Sequence, residues 1–179
     1  GSGEQKDKWL SGLGDGTKIG CFGLTEPNFG SNPGGMATRC KKDGDDWIIN
    51  GNKMWITNGG FADVFTVFAQ VQEDGRLEGQ SGFTGFIVPA NSANVRLGAE
   101  EKKMGMKGSS TTSLIFQNAK VPANNLLYKI GKGAAVAFNT LNIGRFKLGA
   151  SCLGGSKQVI NRTSQYAKER RAFGQSISN

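Results

Sequence analysis

Apolar and polar residues alternate in short runs between residues 19 and 122, a pattern that predicts β-strands. The runs are Ile19–Leu24, Met36–Lys42, Trp47–Ile49, Lys53–Thr57, Val64–Val71, Phe83–Val88, Val95–Leu97, Ser113–Gln117 and Lys120–Pro122. Short strands at regular spacing are typical of a sandwich or a barrel rather than of β-α-β units. Asn50-Gly51 between two runs predicts a type I′ hairpin, and Glu73-Asp74-Gly75 predicts a second turn.

After Pro122 the apolar period lengthens to three and four residues, which predicts one helix of roughly 35 residues. One face carries Phe138, Leu141, Arg145, Leu148 and Cys152, while Lys168, Arg170, Arg171 and Gly174 suit the helix end. A helix of this length needs partner helices to cover its apolar face. We therefore expect it to be the first helix of an incomplete bundle.

The predicted fold class is mainly β with flanking α segments. A barrel- or sandwich-like middle domain is expected at residues 16–125, and one long helix of a truncated carboxy-terminal domain at 126–179. Residues 1–15 contain a short helical segment, Glu4–Leu10, with Trp9, Leu10 and Leu13 available to bury. This segment is too short to be stable alone, so we interpret it as the tail of a preceding helical domain.

The net charge of +8 suggests an anionic partner, either nucleic acid or a ligand that carries phosphates. The basic residues are scattered, with clusters only at Glu101-Lys102-Lys103 and Lys168–Arg171. That distribution does not form a nucleic-acid stripe, so nucleic acid is not expected as the partner.

Histidine is absent, which excludes Ser-His and Cys-His nucleophile pairs and disfavours a zinc site, so no metal site is predicted. Cys21, Cys40 and Cys152 lack metal-ligand spacing and are interpreted as buried free thiols of a reducing compartment. No phosphate-binding loop of the Gly-x-x-x-x-Gly-Lys-Ser/Thr form occurs. Demanding chemistry would therefore require a bound cofactor.

Two polar segments each follow a predicted strand. Leu24–Ser31 begins Leu-Thr-Glu-Pro, and Met54–Gly60 reads Met-Trp-Ile-Thr-Asn-Gly-Gly. Each places a threonine at a strand end, and the second adds Trp55. Loops on a rigid scaffold often carry function, so the two segments are a candidate binding site.

In order and spacing, these segments resemble the acyl-CoA dehydrogenase family. The resemblance continues through Lys103–Lys107, Val121-Pro122, Asn125–Leu127, Asn142–Phe146 and Glu169–Gly174, and covers nearly the whole chain. The Asn142–Phe146 and Lys103–Lys107 motifs look most like the long-chain and very-long-chain branch. Cys21–Asn28 is closer to the glutaryl-CoA branch.

The resemblance implies an FAD site and an acyl-CoA site. Flavin contacts would come from Phe22, Leu24, Thr25, Trp55, Ile56 and Thr57, with Thr25 on the pyrimidine edge and Thr57 near N5. Substrate contacts would come from Ser31 on the CoA arm and from Asn142 and Arg145 at the nucleotide end. Arg170 and Phe173 would reach the FAD of a neighbouring subunit, which implies a homodimer or homotetramer.

The implied reaction is α,β-dehydrogenation of an acyl-CoA, with electrons passed to an electron-transfer flavoprotein. No catalytic residue is expected within these 179 residues, because the resemblance implies that most branches carry the catalytic glutamate in later carboxy-terminal helices. Some branches carry it on the helix of Asn142–Phe146, but here 139–147 contain no Asp or Glu and Gly144 stands at that position. Asn32 also replaces the aspartate usual in the family's Gly-Ser-Asp. The bacterial cytoplasm or the mitochondrial matrix would suit such an enzyme.

Three alternatives remain open. An acyl-CoA oxidase would use the same chemistry with oxygen as the acceptor. A family relative recruited to bind DNA would use the basic surface. A purely structural barrel would bind no flavin.

Overall fold

The computed structural model describes residues 1–72 and 81–178, and the turn predicted at Glu73-Asp74-Gly75 lies outside them. The chain divides into two compact units, Gly1–Ala137 and Phe138–Asn179. The division into 1–15, 16–125 and 126–179 stays a prediction. The elements are α1 (Gly3–Asp15), β1 (Gly20–Gly23), β2 (Arg39–Asp43), β3 (Asp46–Thr57), β4 (Val64–Val71), β5 (Phe83–Pro89), β6 (Val95–Leu97), β7 (Thr111–Pro122), β8 (Leu126–Leu127), α2 (Gly133–Glu169), β9 (Arg171–Ala172) and β10 (Gln175–Ser176).

One eight-stranded sheet dominates the first unit. Its strand order is β6-β7-β3-β2-β4-β5-β8, and β1 pairs with β4. The β1–β4 and β2–β4 pairs are parallel and the remaining pairs are antiparallel. The predicted class, mainly β with one long helix, is confirmed. The barrel is not: within the described residues, the edge strands β6 and β8 do not pair, so the sheet stays open.

Alternate residues of the long strands form the core. On β4, Phe65, Val67 and Ala69 are fully buried and belong to one apolar cluster with residues of β3, β5 and β7. Trp47 packs edge-on against Phe86 at a ring-centroid distance of 5.6 Å. Burying these side chains removes apolar surface from water, which is the main stabilising contribution of such a sheet.

Helix α1 is anchored by a buried glutamine rather than by its leucines. The Gln5 side chain donates hydrogen bonds to the main-chain oxygens of Asn124 (2.7 Å) and Leu126 (2.9 Å). Trp9 is buried as expected, but Leu10 is 57% exposed and Leu13 only partly covered. The expectation that all three apolar residues are buried was therefore wrong.

The hairpin predicted at Asn50-Gly51 does not form, because β3 runs without a turn from Asp46 to Thr57. The chain reverses earlier, between β2 and β3, where Asp43 pairs with Asp46. Gly51 instead permits a close approach: a Cβ there would lie 2.7 Å from the Cα of Thr38, and its φ is +148°. Glycine is thus required inside the strand by packing and by backbone conformation.

Helix α2 has 37 residues, which confirms the predicted long helix; its first five residues belong to the first unit and the rest to the second. Many of its apolar residues, such as Phe146 and Leu148, are exposed. Cys152 is exposed as well, so its expected burial was wrong, although all three cysteines are free. Within residues 1–72 and 81–178, neither α1 nor α2 contains an apolar stretch that could span a bilayer.

The carboxy-terminal end of the long helix also differs from the prediction. Helix α2 stops at Glu169, and β9 pairs with β10 in a small hairpin. Phe173 and Gly174 form the hairpin turn with φ values of +54° and +82°. Gly174 therefore serves a two-residue hairpin turn, where positive φ is required at both positions, and not the helix cap.

Candidate functional site

The two predicted segments lie side by side in the structure. The Met54 main-chain N–H donates a 2.9 Å hydrogen bond to the Thr25 carbonyl, which joins the end of β3 to the segment that follows β1. The sheet topology explains this approach, since both β1 and β3 lie close to the centre of the sheet. Thr25 is half-buried. The main chains of the two segments thus form one continuous rim.

A β-bulge gives the second segment its shape. Between Lys53 and Ile56 strand β3 advances three residues while β7 advances two, from Leu114 to Thr112. Trp55 takes up the extra residue with a φ of +56°. Positive φ costs a residue with a side chain about 1–2 kcal/mol, and such strain collects at functional sites. The bulge re-aims the side chains that follow it.

The bulge places Trp55 and Thr57 on the outer side of the sheet. Trp55 is 63% exposed and Thr57 is exposed, whereas Ile56 between them is buried in the core. Neighbouring strand residues point to opposite faces, so the indole and the hydroxyl share one face. The side chain of Ile56 is turned away from that face, which leaves only its main chain for a ligand.

Phe22 and Leu24 extend the candidate site on the other segment. The Phe22 ring is half-buried and packs edge-on against Phe68 with centroids 5.2 Å apart. Leu24 is buried, and its carbonyl accepts a 3.2 Å hydrogen bond from the Lys53 ammonium. Burial raises the pKa of the adjacent Cys21 thiol to about 12. That thiol therefore stays neutral and unreactive at physiological pH.

A buried ion pair lies behind the two segments. Lys53 Nζ is 2.8 Å from Glu26 Oε1, and neither side chain is accessible to solvent beyond 3%. Glu26 also accepts hydrogen bonds from the main-chain N–H of Ala37 (2.6 Å) and of Thr38 (3.1 Å). Buried charges are tolerated when they are paired and hydrogen-bonded. Both conditions are met here.

The surroundings favour the ionised form of Glu26. Burial alone would raise the pKa of Glu26, but the hydrogen bonds from Lys53 and Thr38, the Lys53 charge and the Ala37 N–H outweigh it and lower the pKa. Burial lowers the pKa of Lys53, and Glu26 opposes that effect. We assign the pair as carboxylate and ammonium, because the Lys53 ammonium and the main-chain N–H groups of Ala37 and Thr38 all donate to the Glu26 carboxylate.

Ser31 lies on an exposed loop between Glu26 and Thr38. The loop begins with a tight turn in which Glu26 and Phe29 exchange main-chain hydrogen bonds of 3.3 and 3.1 Å. The Glu26 carboxylate closes its far end through Ala37 and Thr38. The position of Ser31 therefore depends on the same carboxylate that pairs with Lys53.

The remaining predicted residues belong to the second unit. Arg145 and Asn142 lie one turn apart on α2, and the guanidinium donates a 2.8 Å hydrogen bond to the Asn142 amide oxygen. Arg170 is exposed just after the helix, and Phe173 is fully exposed at the β9–β10 turn. These four residues are solvent-accessible within their unit, as ligand-binding residues must be.

Sequence reasoning did not identify Lys53 and Glu26, the buried pair behind the two segments. A continuous strand would have revealed Lys53, because Trp47, Ile49, Gly51 and Lys53 alternate on one face. Because a hairpin was predicted at Asn50-Gly51, the alternation was not followed as far as Lys53. For Glu26 the sequence offers no comparable pattern, since this residue lies in a turn.

Among the described residues, no three His, Cys, Asp or Glu side chains could together hold a metal ion.

Two family models match the chain. The acyl-CoA dehydrogenase middle domain matches residues 21–119, and the acyl-CoA dehydrogenase carboxy-terminal domain matches residues 131–179. The first match includes both segments of the candidate site. The second includes Asn142, Arg145, Arg170 and Phe173.

Individual relatives agree with the models. A probable acyl-CoA dehydrogenase of Bacillus subtilis is 49% identical over 175 residues, covering 97% of this chain and 28% of the relative. A short-chain-specific acyl-CoA dehydrogenase of Clostridium acetobutylicum is 42% identical over 177 residues, covering 99% and 46%. A glutaryl-CoA dehydrogenase of Mycobacterium smegmatis, solved in complex with FADH2, superimposes with a TM-score of 0.89 at 41% identity, covering 100% and 44%.

These matches fix the family more firmly than the branch. The chain spans less than half the length of each of these relatives. Their names include a short-chain enzyme and a glutaryl-CoA enzyme, so the predicted long-chain branch is not confirmed. By its match to the middle-domain model over more than half of its residues, the chain belongs to the acyl-CoA dehydrogenase family.

Proposed function

We propose that this chain is the flavin-binding part of an FAD-dependent enzyme that oxidises acyl-CoA thioesters at the α,β bond. The observation that carries the proposal is the outward-facing pair Trp55 and Thr57, tied to the Thr25 segment by the Met54–Thr25 hydrogen bond. The relative from Mycobacterium smegmatis holds FADH2. When bound here, FAD would supply the acceptor for the substrate hydride at its N5 atom.

The residues of the rim suit a flat aromatic ligand with a polar edge. The exposed indole of Trp55 offers an apolar surface, and Phe22 and Leu24 lie on the neighbouring segment. The hydroxyls of Thr25 and Thr57 are able to donate or accept, so they would satisfy a ring edge in either protonation state. Ile56 would contribute its main chain, because its side chain is in the core.

Three residues would bind the CoA part of the substrate. Ser31 is exposed on the loop that Glu26 closes. Arg145 presents a planar guanidinium already oriented by Asn142, and such a fork suits a phosphate. The net charge of +8 favours an anionic ligand of this kind.

The exposed carboxy-terminal hairpin would complete a cofactor site on another subunit. Phe173, fully exposed at the turn, would lie against the adenine, and Arg170 would contact the pyrophosphate. The whole protein would accordingly be a homodimer or homotetramer.

The chain itself would bind and orient the substrate without removing its α proton. Residues 139–147 contain no carboxylate, so the base would come from outside these 179 residues. This chain alone is therefore expected to be inactive. Electrons would leave to an electron-transfer flavoprotein, and the enzyme would work in the bacterial cytoplasm or the mitochondrial matrix.

For the acyl group we propose a short chain, because the Clostridium relative is short-chain specific. The long-chain preference predicted from Asn142–Phe146 and Lys103–Lys107 is the alternative, and glutaryl-CoA is the third candidate. Turnover of the whole protein with butyryl-, palmitoyl- and glutaryl-CoA decides among them. Highest kcat/KM on butyryl-CoA supports our choice, and highest kcat/KM on either other substrate overturns it.

The flavin site is tested with Thr57→Val in the whole protein. This change removes the hydroxyl and keeps the shape, so the dissociation constant of FAD should rise about tenfold, the worth of one hydrogen bond to a ligand. Thr17→Val is the matched control, because Thr17 lies beyond the end of α1 and its hydroxyl donates a hydrogen bond to the neighbouring Asp15 carboxylate, away from both candidate segments. Equal FAD affinity of Thr57→Val and wild type would contradict the assignment.

The acceptor and the rival functions are tested separately. Rapid peroxide formation without a dye acceptor would identify an acyl-CoA oxidase. A salt-dependent gel shift on duplex DNA by a colourless protein would identify the DNA-binding alternative. A colourless protein that binds neither FAD nor DNA would leave a structural role.

A further inference from the structure

In the function proposed above, the Lys53–Glu26 pair contacts neither the flavin nor the substrate. Both side chains are buried, at 0% and 3% exposure, and their charged atoms are 2.8 Å apart. A buried lysine in a strand is unusual, since lysine almost never loses all of its contact with water unless it is paired. A buried ion pair is also a weak source of stability, because desolvation offsets the attraction. Stability alone therefore does not explain the pair.

The pair connects the two segments that would form the flavin site. Lys53 is the last residue in register with β7 before the bulge that contains Trp55, and Glu26 directly follows Thr25. The Lys53 ammonium also donates to the Leu24 carbonyl at 3.2 Å. Together with the Met54–Thr25 bond, residues 24, 25 and 26 are each bonded to residue 53 or 54.

The Glu26 carboxylate is also hydrogen-bonded to the loop that contains Ser31. Its two oxygens accept the N–H groups of Ala37 and Thr38, at the end of that loop. Lys53 lies 3.8 Å from the sulfur of Met36 in the same stretch. One buried pair thus restrains the strained bulge, the Thr25 segment and the Ser31 loop.

We propose that Lys53 and Glu26 are positioning residues of the flavin site. They hold Thr25 and the Trp55–Thr57 bulge at a fixed separation and set the Ser31 loop relative to both, without touching the ligand themselves. This inference rests on the proposed function. Its physical basis is that small displacements of positioned groups cost large factors in rate.

The test uses Lys53→Met, Glu26→Gln and the double variant in the whole protein. Met keeps the length and the apolar stem of lysine, and Gln is isosteric with glutamate, so Glu26→Gln remains interpretable if Lys53→Met does not fold. The matched control is Lys120→Met, which breaks the 2.9 Å pair with Asp46 on the same strand β3 at an exposed position. Thermal stability, FAD affinity, the visible circular dichroism of bound FAD, kcat and KM are measured.

If the pair positions the flavin site, the double variant should recover thermal stability but not kcat. Without an unpaired buried charge its thermal stability should recover towards that of wild type. Its kcat should stay about tenfold or more below wild type, because Leu24, Ala37 and Thr38 have lost their charged partners. The circular dichroism of its bound flavin should also stay altered. Lys120→Met should match wild type in all five measurements.

Three results overturn the inference, and each differs from failure of the proposed function. The first is parallel recovery of stability, flavin dichroism and kcat in the double variant, which would make the pair merely structural. The second is an unchanged flavin spectrum and kcat in Glu26→Gln. The third is an equal effect of Lys120→Met. Wild-type protein that binds no FAD would instead refute the proposed function.

Discussion

The two ends of β3 each carry a lysine–carboxylate pair at almost the same distance, yet their surroundings differ completely. At the first end Lys120 lies 2.9 Å from Asp46, and its side chain is 59% exposed. At the other end Lys53 lies 2.8 Å from Glu26 with no exposure. Water screens the first pair and leaves the second unscreened. Burial, not distance, therefore decides how much depends on each pair.

The largest difference between the two ends is expected in stability. Lys53→Met leaves the Glu26 carboxylate buried without its cation, which should lower the free energy of unfolding by about 3–5 kcal/mol. Lys120→Met leaves Asp46 in contact with water and should change it little. Urea denaturation of both variants measures the contrast, and equal midpoints would show that burial is not the deciding factor.

A second contrast concerns two glycines, one inside β3 and one in the turn before it. Gly51→Ala would force a Cβ against Thr38, 2.7 Å from its Cα, and should cost about 1–3 kcal/mol of unfolding free energy by overpacking alone. Gly44, in the turn between β2 and β3, has a φ of +57° and open space around it. Gly44→Ala should therefore cost only about 1 kcal/mol, the strain of positive φ. A larger loss at Gly44 would contradict the packing role of Gly51.

Acid should weaken the buried end selectively. The pKa of Glu26 is lowered in the folded chain from its ordinary value of 4.5. The stabilisation it provides is therefore complete above pH 4.5 and is lost as the pH falls through the lowered folded value. Glu26→Gln should remove this part of the acid dependence of the unfolding free energy. Identical slopes for wild type and Glu26→Gln below pH 4.5 would contradict an ionised Glu26.

The smallest effect on stability is expected at Trp55. Trp55→Gly removes the strain of a φ of +56° but frees the unfolded chain, so the free energy of unfolding should change by less than about 1 kcal/mol. FAD affinity should nevertheless fall, since the exposed indole is gone. A large loss of stability would mean that Trp55 is a structural residue instead of a ligand-binding one.

Much of the fold could be predicted because strand and helix periods are local properties. Val64–Val71 and Val95–Leu97 are strands with the predicted bounds, and the long helix has 37 residues, close to the predicted length of roughly 35. The error at Asn50-Gly51 has a tertiary cause. Glycine was needed for the approach of Thr38, a contact that no local pattern records. The open sheet and the exposed Leu10 likewise depend on long-range packing.

The residues of the candidate site that would face the ligand could be proposed from the sequence. Trp55 and Thr57 were proposed because they follow a strand and match a family motif. Lys53 and Glu26 were missed because their importance lies in a contact between residues 27 positions apart. Motif reasoning identifies side chains that face a ligand, whereas the residues behind them appear only when the topology is known.

The most direct test of the proposed flavin site is a titration of the whole protein and its Trp55→Ala variant with FAD, monitored by flavin fluorescence. Leu97→Ala is the control, because Leu97 is also an exposed apolar residue but lies on the edge strand β6. We expect tight binding by wild type and Leu97→Ala, and a dissociation constant about tenfold or more higher for Trp55→Ala. Equal affinities for all three proteins would contradict the central claim that the Thr25 and Trp55–Thr57 segments form the flavin site.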